Sequence, residues 1–153
     1  EIMGIEADVQ ALQQVPLFSG FSAEQLRLVA FGTERLSMGK GRELYREGDD
    51  ADCGFLIMSG LVSLYEDREG SRSIVGTADA GTLLGEFALI APTKRPTGAV
   101  TAEDCEVMRI SRTLVRRVLE EYPDIAIRLH QQLSGNFETM LNGITGMAGK
   151  FSD

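Results

Sequence analysis

The segment whose residue types could do chemistry runs from Gly85 to Leu89, Gly-Glu-Phe-Ala-Leu, with Arg95 in the loop that follows. Its first glycine allows close backbone approach. A helical turn beginning at Glu86 would direct the amides of Phe87 and Ala88 into a shared space. Such amides suit an anion, and the planar guanidinium of Arg95 can bind a phosphate at two points. The carboxylate of Glu86 can accept hydrogen bonds from a sugar hydroxyl, so the segment predicts a site for a molecule that carries both groups.

A plainer interpretation of the same residues stays open at this point. Glu86 and Arg95 can pair with each other across a surface loop, a contact worth about 0–1 kcal/mol. A short motif of this kind is a weak signal on its own. The bare chemistry therefore leaves the surface ion pair and the anion site as alternatives.

Composition narrows the classes of function. The chain has 153 residues, a net charge of −8 and a single histidine, His130. Excess acidic charge repels a phosphate backbone, so we do not expect nucleic acid as a partner. A histidine-based metal site or a Ser-His-Asp triad needs more histidines, so we expect neither a metal nor an enzyme. No apolar run approaches the roughly 18 residues of a membrane helix and no secretory signal is evident, which makes the cytoplasm the expected location.

Periodicity predicts one domain over residues 1–153, mainly β with helices at both ends. Apolar residues at helical spacing, and Ser22 with Gln25 at capping-box spacing, predict two helices within residues 1–35. Short apolar runs between glycine and aspartate clusters predict a jelly-roll barrel over residues 36–110, with Cys53 and Cys105 as buried thiols. About eight strands fit: Leu36–Met38, Leu44–Arg46, Cys53–Met58, Leu61–Glu66, Ser73–Ala78, Thr82–Leu84, Gly98–Ala102 and Glu106–Ile110.

Two further helices are predicted over residues 111–145. Ser111 caps the first, and Pro123 separates it from a second that begins near Asp124. The second helix carries an apolar stripe, which we expect to meet a second copy of the chain or a partner protein, with packing on its own domain as the alternative. The stripe consists of Ile125, Leu129, Leu133, Phe137, Met140, Leu141 and Ile144.

Four arginines lie at the start of this C-terminal region, at positions 109, 112, 116 and 117. Arg116 and Arg117 each have a glutamate four residues further on, at Glu120 and Glu121. Pairs at this spacing neutralise each other on a helix surface. We therefore expect a solvated helix face here and not a basic binding patch.

Three stretches of the sequence resemble the cyclic nucleotide-binding domain family. They are Gly41 to Asp52, Phe55 to Gly60, and Gly85 to Leu89 with Arg95, in the order and spacing of that family. The family includes bacterial catabolite-activator-type regulators, the regulatory subunit of cyclic AMP-dependent protein kinase and cyclic nucleotide-gated channels. The resemblance covers roughly residues 15–144 and agrees with the helix, jelly roll, helix order.

The resemblance implies a phosphate-binding cassette at residues 84–97. In that cassette Gly85, Phe87 and Ala88 supply backbone contacts to the ligand. Glu86 is then the partner of the ribose hydroxyl, and Arg95 is the partner of the cyclic phosphate.

The loop after the cassette motif departs from the family pattern at Pro96. Counting forward from Leu89 puts Arg95 in the phosphate position, whereas counting back from Val100 puts Pro96 there. Proline has no N–H to donate. We favour Arg95, with the hydroxyl of Thr97 replacing the missing donor.

The resemblance implies a regulatory sensor that binds a cyclic mononucleotide, cyclic AMP ahead of cyclic GMP, and moves its C-terminal helices to signal to a dimer mate or partner protein. Only residues 145–153 follow the last predicted helix, so we expect a stand-alone sensor without a helix-turn-helix domain. Ile74, Leu83 and Leu84 are expected to line the base pocket. The alternative is a ligand-free interaction module, which Pro96 and Ala99 favour.

Overall fold

Helices occupy both ends of the part of the chain that the computed structural model describes, residues 2–132. At the N-terminal end they are α1 (Ile2–Gln13), a 3-10 helix (Pro16–Phe18) and α2 (Ala23–Gly32). After the strands come α3 (Arg112–Glu121) and a last helix, α4, described over residues 123–132. A second 3-10 helix, Glu86–Leu89, interrupts the strands and is called the loop helix below.

Both predicted helix caps are present. The hydroxyl of Ser22 accepts a hydrogen bond from the amide of Gln25 (3.1 Å), and the Gln25 side chain accepts one from the amide of Ser22 (2.7 Å). This reciprocal pair satisfies two amides that lack partners inside α2. Ser111 caps α3 in the same way, accepting from the amide of Leu114 at 3.1 Å. The side-chain signals read from the sequence therefore do start these helices.

Antiparallel strands form the middle of the described chain. They are β1 (Glu34–Met38), β2 (Glu43–Tyr45), β3 (Asp50–Ala51), β4 (Cys53–Ser59), β5 (Val62–Arg68), β6 (Ser71–Ala78), β7 (Leu83–Leu84), β8 (Thr93–Lys94), β9 (Gly98–Thr101) and β10 (Cys105–Ser111). Eight of them form two four-stranded sheets with orders β1-β10-β4-β7 and β2-β9-β5-β6. The mainly β fold with helices at both ends is confirmed. A separate pair, β3 with β8, was missed because two-residue strands show no periodicity.

Side chains of β4 alternate between two apolar clusters. Phe55 and Ile57 lie in the cluster between the two sheets, whereas Leu56 lies in the cluster that the helices cover. Both faces of this strand are therefore buried, which is why it reads as a continuous apolar run. Cys53 and Cys105 are both buried and unbridged, as predicted. In residues 2–132 no helix combines the length and apolar character needed to cross a membrane.

Only the start of the predicted C-terminal stripe lies within the described residues. Ile125 and Leu129 are 8% and 2% exposed and pack in the helical cluster of their own domain. The other five members, Leu133, Phe137, Met140, Leu141 and Ile144, lie outside the described residues. The dimer or partner seam therefore stays a prediction, and so do the domain bounds at 35, 110 and 145.

Candidate functional site

Gly85 stands at the point where β7 ends and the loop helix begins. Its φ of +87° lies in the left-handed region, which glycine adopts without steric strain. A Cβ at this position would lie 2.5 Å from Nη1 of Arg95 and 3.1 Å from the carbonyl oxygen of Cys53. Glycine is thus required both by the turn and by the close approach of Arg95, and the structure brings these two predicted site residues together.

The guanidinium of Arg95 lies inside the protein, and the residue is 5% exposed. Nη2 donates to the carbonyl oxygen of Cys53 at 2.9 Å and lies 3.3 Å from its Sγ. The guanidinium carbon lies 4.3 Å from the ring centroid of Tyr45 and 5.6 Å from that of Phe55. Pro96, the other candidate for this position, is exposed. The loop therefore directs Arg95, and not Pro96, toward the barrel interior.

Two backbone hydrogen bonds and the small β3–β8 ladder fix this direction. The amide of Arg95 donates to the carbonyl of Asp49, and the amide of Gly48 donates to the carbonyl of Arg95, both at 2.8 Å. Lys94 pairs with Asp50 in the ladder directly before it. Arg95 is consequently held directly beside a strand pair that the sequence did not reveal.

Two of the three guanidinium nitrogens of Arg95, Nε and Nη1, are buried and have no hydrogen-bond partner. Arg95 also takes part in none of the ion pairs among the described residues. Burial raises the pKa of the neighbouring Cys53 thiol and of the Tyr45 hydroxyl, so both are neutral at physiological pH. A buried cation with unpaired donors is strongly unfavourable, and an anion with two acceptor oxygens would correct it.

Glu86 is the first residue of the loop helix, and it is half-buried. It forms no ion pair with Arg95 in the described part of the chain, so the surface-pair interpretation was wrong. Burial raises its pKa, because removal from water disfavours the charged form. Both groups of the predicted site are therefore held partly or fully out of water without a protein partner for their charge.

The raised pKa of Glu86 predicts a pH-dependent effect of Glu86→Gln. The folded protein binds the proton of Glu86 more tightly than the unfolded chain does. The contribution of Glu86 to the free energy of unfolding is therefore greatest below the pKa of the unfolded state, about 4.3, and it falls as pH rises through the pKa of the folded state. Glu86→Gln removes that loss. Without ligand, the variant should melt with the wild type at pH 4 and above it at pH 7, as measured by calorimetry.

Glu34→Gln makes the same charge change at an exposed carboxylate and serves as the control. It should show no comparable increase between the two pH values, because water solvates this carboxylate in both states. Identical melting curves of Glu86→Gln and wild type at pH 4 and pH 7 would contradict the effect of burial on Glu86.

The other predicted cassette residues lie on the loop helix or after the loop. The side chain of Phe87 packs against the helical cluster, and Ala88 is fully buried. The amide of Ala88 already donates to the carbonyl of Gly85 at 3.1 Å. Thr97 is half-buried and directly precedes β9. Direct contact of Phe87, Ala88 and Thr97 with a ligand stays a prediction.

The three predicted base-pocket residues lie on three different surfaces. Leu84 pairs with Phe55 and packs in the cluster between the sheets, whereas Leu83 packs against the helical cluster. Ile74 is 56% exposed and pairs with Tyr65, next to Leu64, which packs toward the cluster between the sheets. Since neighbouring strand residues face opposite ways, Ile74 lies on the outer face. Of the three, only Leu84 lies on the same side of the barrel wall as Arg95.

Sequence reasoning missed the aromatic residues beside Arg95 and the role of Arg112. The ring centroids of Tyr45 and Phe55 lie 5.9 Å apart. The sequence signal that could have identified these two residues is their position on β2 and β4. Arg112 was assigned to a solvated helix face, which was wrong. Its Nη1 lies within 3.1–3.3 Å of three carbonyl oxygens, those of Ala51, Ala88 and Ala91.

Comparison with known proteins agrees with this architecture. A solved cyclic nucleotide-binding-like protein from Brucella abortus is 49% identical with a TM-score of 0.71, covering 74% of this chain and 97% of that one. The regulatory domain of Toxoplasma gondii PKA with cAMP has a TM-score of 0.72 at 22% identity, covering 77% of this chain and 45% of that one. The second likeness shows the fold alone.

A curated relative is the lysophospholipase NTE1 of Chaetomium globosum, 24% identical over 122 residues, which are 79% of this chain and 8% of that protein. The chain thus spans less than a tenth of the length of the curated relatives it matches first. The family model of the cyclic nucleotide-binding domain, which is a regulatory sensor fold, matches residues 35–122 of this chain, more than half of its length. The chain therefore belongs to the cyclic nucleotide-binding domain family.

Proposed function

We propose that this chain is a cyclic nucleotide sensor that binds a cyclic mononucleotide, cyclic AMP in the first place, beside Arg95. The observation that carries the proposal is the pair of buried, unpartnered nitrogens Nε and Nη1 on Arg95. A cyclic phosphate bears one negative charge and two exocyclic oxygens. The single negative charge balances the charge of the guanidinium, and the two oxygens can accept hydrogen bonds from its two unpartnered nitrogens.

The other parts of the ligand match the surroundings of Arg95. Glu86 has a half-buried carboxylate, suited to accept hydrogen bonds from the ribose hydroxyl. The apolar wall beside the guanidinium includes Tyr45 and Phe55, and Leu84, the strand partner of Phe55, lies in the same cluster, which suits a nucleoside placed inside the barrel mouth. Related regulatory domains whose structures were solved with cAMP support cyclic AMP as the first ligand to test.

Binding is proposed to reach the C-terminal helices through the loop helix. Leu89, its last residue, is fully buried in the same cluster as Val115 and Val118 of α3 and Leu129 of α4. A ligand that orders the loop helix in one position therefore favours one packing of α3 and α4. It shifts the equilibrium only by the difference in its affinity for the two packings.

The proposed output is a contact with a dimer mate or a partner protein through the last helix. We propose no catalytic group for this domain, which we infer to act as a sensor and not as an enzyme. Its proposed location is the cytoplasm. The net charge of −8 supports a small-molecule ligand held by a local cation over a nucleic-acid partner.

The test is thermal unfolding of the purified chain with and without millimolar cyclic AMP or cyclic GMP, after the denatured protein has been checked for co-purified nucleotide. At a hundredfold excess over Kd, binding adds about 2.7 kcal/mol. In a domain of this size the melting temperature should rise by about 5–10 °C. Cyclic AMP is expected to give the larger rise.

5′-AMP is the matched control ligand, since it has the same base and ribose but a doubly charged open phosphate. It should give a markedly smaller rise, because the site offers one cation in a buried space. If neither cyclic nucleotide raises the melting temperature and none is already bound, the proposal fails. The ligand-free interaction module would then be the better description.

A further inference from the structure

We propose that Arg112 is a positioning residue that couples occupancy of the Arg95 site to the start of α3. This inference rests on the proposed function and adds a route from the anion to the C-terminal helices. Arg112 is the first residue of α3, directly after its cap Ser111. Among the described residues it forms no hydrogen bond to Arg95, and it meets the predicted ligand site only through the backbone carbonyl of Ala88, so its role is indirect.

The guanidinium of Arg112 joins α3 to two other elements. Nη1 donates to the carbonyl oxygens of Ala51 in β3 (3.1 Å), Ala88 in the loop helix (3.3 Å) and Ala91 just beyond it (3.1 Å). These acceptors are backbone atoms, which cannot rotate away as side chains do. A movement of either the loop helix or β3 therefore acts directly on the first turn of α3.

Residues 51–53 connect Arg112 to Arg95. The amide of Arg112 donates to the carbonyl of Asp52 at 2.8 Å, next to the Ala51 carbonyl that its side chain binds. The following carbonyl, that of Cys53, accepts the 2.9 Å hydrogen bond from Nη2 of Arg95. Of three consecutive carbonyls, the first two thus bind Arg112 and the third binds Arg95. When an anion draws the fork of Arg95 toward itself, the change reaches Arg112 within two peptide units.

The first experiment measures amide hydrogen exchange of residues 112–121 in the full chain, with and without cyclic AMP. In the wild type the ligand should change these exchange rates by at least about fivefold, a typical coupling. In Arg112→Met the ratio of the exchange rates with and without ligand should be close to one. By reciprocity the affinity for cyclic AMP should change by up to the same factor.

Arg116→Met is the matched control. Arg116 lies one turn further along α3, and its side chain forms no hydrogen bond or ion pair in the described part of the chain. It should keep the wild-type ratio. A purely structural role of Arg112 would raise exchange equally in both states, and an unchanged ratio in Arg112→Met would overturn the proposal. If Arg112→Met does not fold, Arg112→Gln replaces it, because the glutamine amide keeps N–H donors at this position but its nitrogen lies about two bonds short of the place that Nη1 occupies.

A second experiment needs no nucleotide. Arg95→Met and Arg112→Met are compared singly and together for exchange of the α3 amides in the free protein. Because the two arginines bind consecutive carbonyls of residues 51–53, we expect the two effects to be non-additive by more than about twofold. Additive effects would refute the connection. If the wild type binds no cyclic nucleotide, the proposed function fails alone, and this comparison still decides the role of Arg112.

Discussion

Arg95→Met is expected to weaken binding of cyclic AMP at least about thirtyfold while leaving the domain folded. The reason is the geometry of Nε and Nη1, which are buried, charged and without a protein partner. A bound phosphate would make its main charged contact here, and no other described arginine lies in the barrel interior. Titration calorimetry gives the affinity, and circular dichroism checks that the fold is intact.

The unliganded stability of Arg95→Met distinguishes a binding residue from a structural one. Methionine fills most of the same space without a buried charge, and such replacements are often neutral or stabilising. The melting temperature without ligand should therefore equal or exceed that of the wild type. Arg42→Met, with the same charge change at an exposed position, should leave both stability and affinity unchanged. Wild-type affinity in Arg95→Met would disprove the assignment of the phosphate contact.

Gly85→Ala is the second change with a large expected effect. Its φ of +87° disfavours any Cβ by about 1–2 kcal/mol. In addition, the new methyl would lie 2.5 Å from Nη1 of Arg95 and 3.1 Å from the carbonyl of Cys53. The side chain of Arg95 must therefore move away from position 85, and the carbonyl of Cys53 leaves the new methyl group little room to shift. We expect a drop in melting temperature above about 8 °C, together with loss of the shift expected on addition of cyclic AMP.

Gly81→Ala is the matched control for backbone strain. Gly81 has a φ of +94°, but a Cβ there would meet nothing within 4 Å. It should lower the melting temperature by only about 2–8 °C and retain the response to cyclic AMP. Equal behaviour of the two variants would show that the contact between Gly85 and Arg95 is unimportant.

The elements that the sequence predicted well are those with long or strongly patterned signals. The Ser22–Gln25 capping box and the Ser111 cap form as expected, and most strands over residues 36–110 were found because their apolar runs are several residues long. β3 and β8 have two residues each, too few for any periodicity. Their pairing depends on contacts between distant parts of the chain, which a single sequence does not display.

The candidate site divides in the same way. The motif from Gly85 to Leu89 marks the loop helix because glycine and a helical turn leave local signals. The choice between Arg95 and Pro96 could not be made by counting, since it depends on backbone hydrogen bonds to Asp49 and Gly48. Arg112 was misassigned because the spacing of its neighbours describes a helix surface, whereas its own side chain turns back across the helix start.

The unpartnered guanidinium of Arg95 also constrains how the sequence can evolve. In the empty protein its burial opposes folding, so many replacements at position 95 would yield a more stable domain. Selection for stability alone, as in a thermal screen of a variant library, should therefore remove this arginine early. Its retention in a lineage would then record continued selection for the ligand, since the empty fold gains nothing from it.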